Sequence, residues 1–119
     1  MADKERRSSP RIHDEELTLR LNAGDFDAMT HTLNISSSGL YCKVDKPMPL
    51  MSRVRLVLML PDPAAQQKSI KNYEAEGVVV RAHPVIIDGQ IRHYDIAVFF
   101  DKLSSGSREA IDAYMARKI

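Results

Sequence analysis

The sequence predicts a mostly β protein: a six- to seven-stranded antiparallel barrel, preceded by an N-terminal arm and closed by one C-terminal helix. Three observations carry this. Short runs of alternating apolar residues recur along the chain, beginning with Leu17, Leu19 and Leu21. Turn-forming residues such as Asn22-Ala23-Gly24-Asp25 and Asp88-Gly89 separate them. Only the last segment switches to helical spacing, with Ile111, Tyr114, Met115 and Ile119 at i, i+3, i+4 and i+8.

The boundaries follow in chain order. Residues 1–16 are polar and charged and form an arm with no core of its own. Residues 17–103 form the barrel. Its first strand is Leu17–Leu21, and the second runs from Phe26 to Leu33. If these pair as a hairpin, Leu17 returns close to Leu33 and Asn34, bringing the arm back with it. Leu40 to Val44 is the third strand, broken by Lys46-Pro47-Met48-Pro49. Val54 to Leu60 is a long strand, apolar on both sides over its second half, as a central barrel strand would be. Pro61-Asp62-Pro63 ends it, and a polar loop runs through Asn72. Tyr73 to Ala82 follows, with Gly77 marking a bulge or a close backbone approach and Pro84 expected to disturb the pairing. Asp88-Gly89 turns the chain from Val85-Ile86-Ile87 into Ile91, and His93–Phe100 closes the sheet. Residues 104–119 form the helix, capped by Ser104 or Ser105, its apolar stripe lying on the barrel.

Composition narrows the function. The 119 residues suit one domain with a real core. A net charge of +1 argues against a dedicated binder of nucleic-acid polymers. Aromatic residues make up 6% with no Trp, which leaves no stacking platform for single strands. The lone Cys42 excludes an internal disulfide or a cysteine-based zinc cluster, and its alternation with Leu40 and Val44 makes it a core residue. His13, His31, His83 and His93 have no metal-ligand spacing. No nucleophile elbow, P-loop or dinucleotide fingerprint occurs, so no enzyme chemistry is expected. The chain opens without a signal peptide and has no run of about 18 apolar residues, so a cytoplasmic location and no membrane insertion are expected.

Two polar stretches remain unexplained by packing. Glu5-Arg6-Arg7-Ser8-Ser9-Pro10-Arg11 carries three guanidinium groups on a segment that Pro10 keeps from being helical. Guanidinium groups grip phosphate bidentately and read the O6/N7 edge of guanine. Asn34-Ile35-Ser36-Ser37-Ser38-Gly39 reads as a turn that exposes an amide, a hydroxyl and backbone N–H groups together. Gly39 there allows a positive φ or a ligand close to the backbone.

In this order the two stretches resemble the signature of the PilZ domain family: Arg-x-x-x-Arg on an N-terminal arm, then Asp/Asn-x-Ser-x-x-Gly. The matching residues are Arg7 and Arg11, then Asn34, Ser36 and Gly39. Ala97, in Ile96-Ala97-Val98, departs from the glycine frequent in the family, which bears on packing more than on binding. The resemblance implies a bacterial receptor for cyclic di-GMP with no other cofactor. Arg7 and Arg11 would engage phosphates and guanine faces, the Asn34 amide and Ser36 hydroxyl would bond the ligand, and Gly39 would admit the backbone. Arg6 would add a contact if the ligand binds as a stacked dimer. The resemblance also implies that binding draws the arm over the barrel and presents a new surface to a protein effector, or changes self-association between a monomer and a ligand-dependent dimer. Motility or exopolysaccharide control would be the setting. The alternative is a PilZ-like adaptor that binds a protein and no nucleotide.

Overall fold

The computed structural model describes residues 12–13, 17–24, 26–62 and 69–118, with the backbone alone at 12, 13 and 118. Seven strands and a helix follow one another: β1 (Ile12–His13), β2 (Thr18–Ala23), β3 (Phe26–Ser36), β4 (Gly39–Val44), β5 (Arg53–Pro61), β6 (Ile70–Ile87), β7 (Gln90–Leu103) and α1 (Ser105–Lys118). The sheet runs β3-β2-β5-β6-β7-β4, and β4 pairs back onto β3, so six antiparallel strands close a barrel. The short β1 is added outside this ring, on β3. Closure removes the open edges that a flat sheet would expose.

Alternation builds the interior as the sequence predicts. Leu19, Leu21, Ile35, Leu40, Leu58 and Leu60 are fully buried, and each contributes about 1.5–3 kcal/mol on leaving water. Cys42 joins them in the core. Burial pushes its thiol up to about 12, with the Asp95 charge adding to the effect.

The helix touches β3, β5, β6 and β7. Because β3 and β6 stand on opposite sides of the ring, α1 lies across one mouth of the barrel. Ile111, Tyr114 and Met115 are buried there with Ala110, whereas Ile119 lies outside the described residues. Ser104 caps the first turn: its Oγ accepts the Ser107 N–H at 3.1 Å. The Ser107 hydroxyl in turn donates to the Glu74 carbonyl at 2.7 Å, pinning the helix start to β6.

Several strands run past their expected bounds, β3 to Ser36, β6 from Ile70 and β7 over Gln90–Leu103, and two further differences bear on the fold. β6 does not stop near Ala82 but continues to Ile87, with Pro84 paired to Tyr94. The proline is tolerated because β5 partners only Ile70 to Val78, so beyond Val79 β6 pairs on the β7 side alone. Gly77 sits at a register shift, and a β-carbon there would strike the Phe99 carbonyl, so both expected roles hold. Asp88 (φ +53°) and Gly89 (φ +76°) make the expected hairpin turn. The second difference is β1. Residues 1–16 were expected to form an arm without its own core that returns towards Asn34, and no strand was expected in it; Ile12 pairs with Ile35 and His13 with Asn34.

Candidate ligand-binding face

The serine-rich stretch is a tight hairpin. β3 runs to Ser36, β4 begins at its partner Gly39, and Ser37-Ser38 alone connect them. Ser36 is fully buried, not exposed as expected. Its Oγ accepts the Ser38 N–H at 3.2 Å, lies 2.9 Å from the Ser38 hydroxyl, and donates to the Gly39 carbonyl at 3.4 Å. A serine hydroxyl satisfying backbone groups two and three residues on is a local turn-forming device. The Phe100 N–H donates to the Ser38 carbonyl at 2.9 Å and ties the turn to β7.

Gly39 is buried, and among the described glycines only Gly24 and Gly89 have a positive φ. A β-carbon at Gly39 would collide with the Val98 carbonyl oxygen and lie 3.3 Å from the Phe99 Cα. The close approach foreseen at this glycine is therefore made by the protein's own strand β7.

Asn34 owes its direction to a bulge. Thr32 pairs with Cys42 but Asn34 with Tyr41, which leaves Leu33 as the extra residue. The shift lets both Thr32 and Ile35 point into the barrel, and it turns Asn34 to the outer face, where it is half-buried. One register row then crosses four strands. Asn34 pairs with Tyr41, Tyr41 with Ala97, and Ala97 with Arg81, while the backbone of His13 flanks Asn34 on its other side. Arg81 is exposed and Tyr41 half-buried. Ala97 is 5% exposed yet does not belong to the barrel core, so this departure from the family pattern bears on the outer face rather than on interior packing.

The row offers a cation, an amide and a phenol on one surface. Sequence reasoning singled out Asn34 but not Arg81 or Tyr41 as neighbours, because only strand register brings them together. Arg6, Arg7 and Arg11 lie outside the described residues. Two other guanidinium groups are engaged elsewhere. Arg20 is paired with Asp27 at 2.6 Å and Arg53 with Asp101 at 2.8 Å, and hydrogen bonding by these guanidiniums holds both carboxyls below their usual range. Among the described residues no cluster of three His, Cys, Asp or Glu is arranged to hold a metal ion.

Residues 5–117 match the family model of the PilZ domain. The chain belongs to the PilZ family. Solved PilZ-type structures share its fold at low identity. One is the inhibitor of motility MotI/DgrA of Bacillus subtilis, at TM-score 0.74 and 17% identity, over 94% of this chain and 51% of that one. Another is the PilZ domain of Escherichia coli YcgR with cyclic di-GMP, at 0.64 and 13%, over 93% and 90%. A third is the MrkH–cyclic di-GMP complex of K. pneumonia, at 0.64 and 15%, over 93% and 51%. The chain thus spans about half the length of MotI/DgrA and of MrkH, and nearly all of the YcgR domain. No curated protein matches the sequence. PilZ proteins are binding and regulatory modules rather than enzymes, and two of these neighbours carry cyclic di-GMP in their structures.

Proposed function

We propose that this PilZ domain is a receptor for cyclic di-GMP, binding it between the arginine arm and the outer face around Asn34, and signalling by moving the arm. The observation that carries the reading is the pairing of Ile12 with Ile35 and of His13 with Asn34. Arg11 directly precedes Ile12, so its Cα is tethered about 3.8 Å from a residue fixed beside the hairpin. Arg7 is five residues from Ile12, within a reach of roughly 18 Å. Both signature halves are therefore available to one ligand.

The chemistry is divided between them. Arg7 and Arg11 engage phosphates and guanine faces, with Arg6 as a third contact. The Asn34 amide bonds the ligand from the outer face. Ser36 and Gly39 act differently: the buried hydroxyl shapes the turn and the glycine admits β7, so their part in binding is to hold Asn34 and the turn backbone in position. The relatives that bind cyclic di-GMP support the ligand's identity. A protein effector, or a second copy of the chain, reads the rearranged arm.

Isothermal titration of the whole chain tests this. Cyclic di-GMP is expected to bind and GTP not to. Absence of binding heat with cyclic di-GMP at any workable concentration sinks the receptor reading and leaves the protein-binding adaptor in its place.

A further inference from the structure

Strand β7 leads into α1 at one end of the barrel, and at the other end β6 and β7 run on past their neighbours. The β5 ladder follows β6 only to Val78, and the β4 ladder follows β7 only to Tyr94. Beyond these points residues 85–87 and 90–93 pair with each other alone. A two-stranded ribbon by itself is marginal in water. Its inner face continues that of the core: Ala82 pairs with buried Ile96, Pro84 with Tyr94, and Ile86 with Ile91. Burial falls away along this face, until Ile86 and Ile91 are 60% and 55% exposed. At the base of the ribbon the Met51 N–H donates to the Val79 carbonyl at 2.6 Å, which sets Leu50 and Met51 beside it, both exposed. Leu50, Met51, Val80, Ile86, Ile87 and Ile91 are six of the nine large apolar residues exposed among the described residues. Single exposed apolar residues are ordinary, but this many at one end of a barrel mark an interaction surface.

We propose that a second copy of the chain docks here, through a two-fold pairing of the ribbons. The inference stands independently of the receptor reading. The six side chains present on the order of 600 Å², the upper end of what a monomer exposes. With a polar rim they approach the share of about 800 Å² that each partner gives to a stable interface. Pro84 has no N–H to offer a further strand, so the ribbons meet by their faces rather than their edges. A two-fold axis level with Pro84 sets them antiparallel. Each tip, four residues or about 13 Å beyond the axis, then lies against Val80, Leu50 and Met51 of the other copy. Asp88 at the tip comes level with Arg81 of the other copy; both are exposed, so unlike charges meet twice. The same Asp88 argues against a lipid surface, because Ile86 and Ile87 could not enter hydrocarbon without carrying its charge with them. Closure about a two-fold leaves no apolar tip free to recruit a third copy.

Sedimentation equilibrium of the whole chain, with no nucleotide present, tests this. At about 100 μM, above the micromolar dissociation constants of the weaker interfaces of this size, the wild type is expected to show the mass of two chains. Ile86→Lys combined with Ile91→Glu puts opposite charges directly across the ribbon, which keeps it paired while removing its apolar face. That variant is expected to dimerise at least about tenfold more weakly, with an unchanged circular-dichroism spectrum. Leu50→Ser combined with Met51→Asn, on a separate element, is expected to weaken the dimer in the same direction; asparagine accepts the positive φ (+69°) found at Met51. Ile70→Lys, at a residue 66% exposed at the opposite end, is expected to leave it at wild-type strength. A monomeric wild type at that concentration overturns the proposal, whether or not the chain then sediments with anionic vesicles or another protein. A dimer of wild-type strength in either double variant overturns it too, as does a dimer weakened equally by Ile70→Lys.

Discussion

Gly39 and the Val98 carbonyl are packed so closely that no β-carbon fits between them. The obstacle is backbone on both sides, in strands β4 and β7 that pair from Gly39↔Phe99 to Val44↔Tyr94. Neither side yields without breaking the ladder. Gly39→Ala is therefore expected to lower stability by about 1–3 kcal/mol, and Gly39→Val by more. Denaturant unfolding measures this. A wild-type midpoint in Gly39→Ala would show that the strands are farther apart than described. Any loss of ligand binding in these variants is expected to accompany the loss of stability.

Ser104 holds the start of α1 through its contact with the Ser107 N–H. Since α1 closes a barrel mouth with Ile111, Tyr114 and Met115, fraying of its first turn loosens the core beneath. Ser104→Ala is expected to cost about 1 kcal/mol. Ser107→Ala is expected to cost a similar amount, by leaving the Glu74 carbonyl without that donor. Equal unfolding midpoints in wild type and both variants would contradict the cap.

Cys42 is expected to be inert in the native protein. The thiolate is the reactive species, and a thiol pushed up to about 12 holds almost none of it at pH 8. Labelling by a thiol reagent should run at least about a hundredfold slower in buffer than in denaturant. Rapid native labelling would place Cys42 at the surface rather than between Leu40 and Val44 in the core.

The fold was legible because its main signals are local. Leu17, Leu19 and Leu21 alternate, Asp88-Gly89 marks its own turn, and Ile111, Tyr114 and Met115 lie on one helical stripe, so each element declares itself in a few residues. What stayed hidden is set by register and by partners distant in sequence. Nothing in Thr32-Leu33-Asn34 announces that Leu33 is a bulge, which is what sends Asn34 outward and Ile35 inward. Pro84 looks like a breaker until β5 is known to have released β6 before reaching it. Ser36 is a polar residue in a polar turn, and only the Ser38 N–H it accepts reveals that its hydroxyl is turned inward. Arg81 and Tyr41 become neighbours of Asn34 solely through pairings spanning three strand boundaries.

Removal of one arm guanidinium is expected to weaken cyclic di-GMP binding without unfolding the barrel. A hydrogen bond to a charged group is worth about 1.5–3 kcal/mol, so Arg7→Ala or Arg11→Ala should each cost roughly ten- to a hundredfold in affinity. Unfolding midpoints are expected to stay at wild type, because the stretch of residues 5–11 around both arginines is polar and charged and offers no large apolar residue to a core. Wild-type affinity in both variants would dissociate the arm from the site.

The arm is also the expected moving part. Residues 1–11 carry little apolar surface to offset the entropy of ordering. Arg6, Arg7 and Arg11 repel one another within a Debye length of about 8–10 Å at ordinary salt. In the proposed receptor the two phosphates of cyclic di-GMP would cancel that repulsion and add charge-assisted hydrogen bonds, so binding and ordering are expected to be coupled. The β1 pairing at Ile35 and Asn34 fixes where the arm joins the barrel, so ordering would propagate outward from Ile12. Amide hydrogen exchange near Arg7 and Arg11, followed with and without cyclic di-GMP, reads this directly: protection is expected to rise on binding while β2 and β5 stay unchanged. Equal protection in the two states would leave the receptor intact and end the arm as its switch, moving the signal to the exposed surface around Arg81.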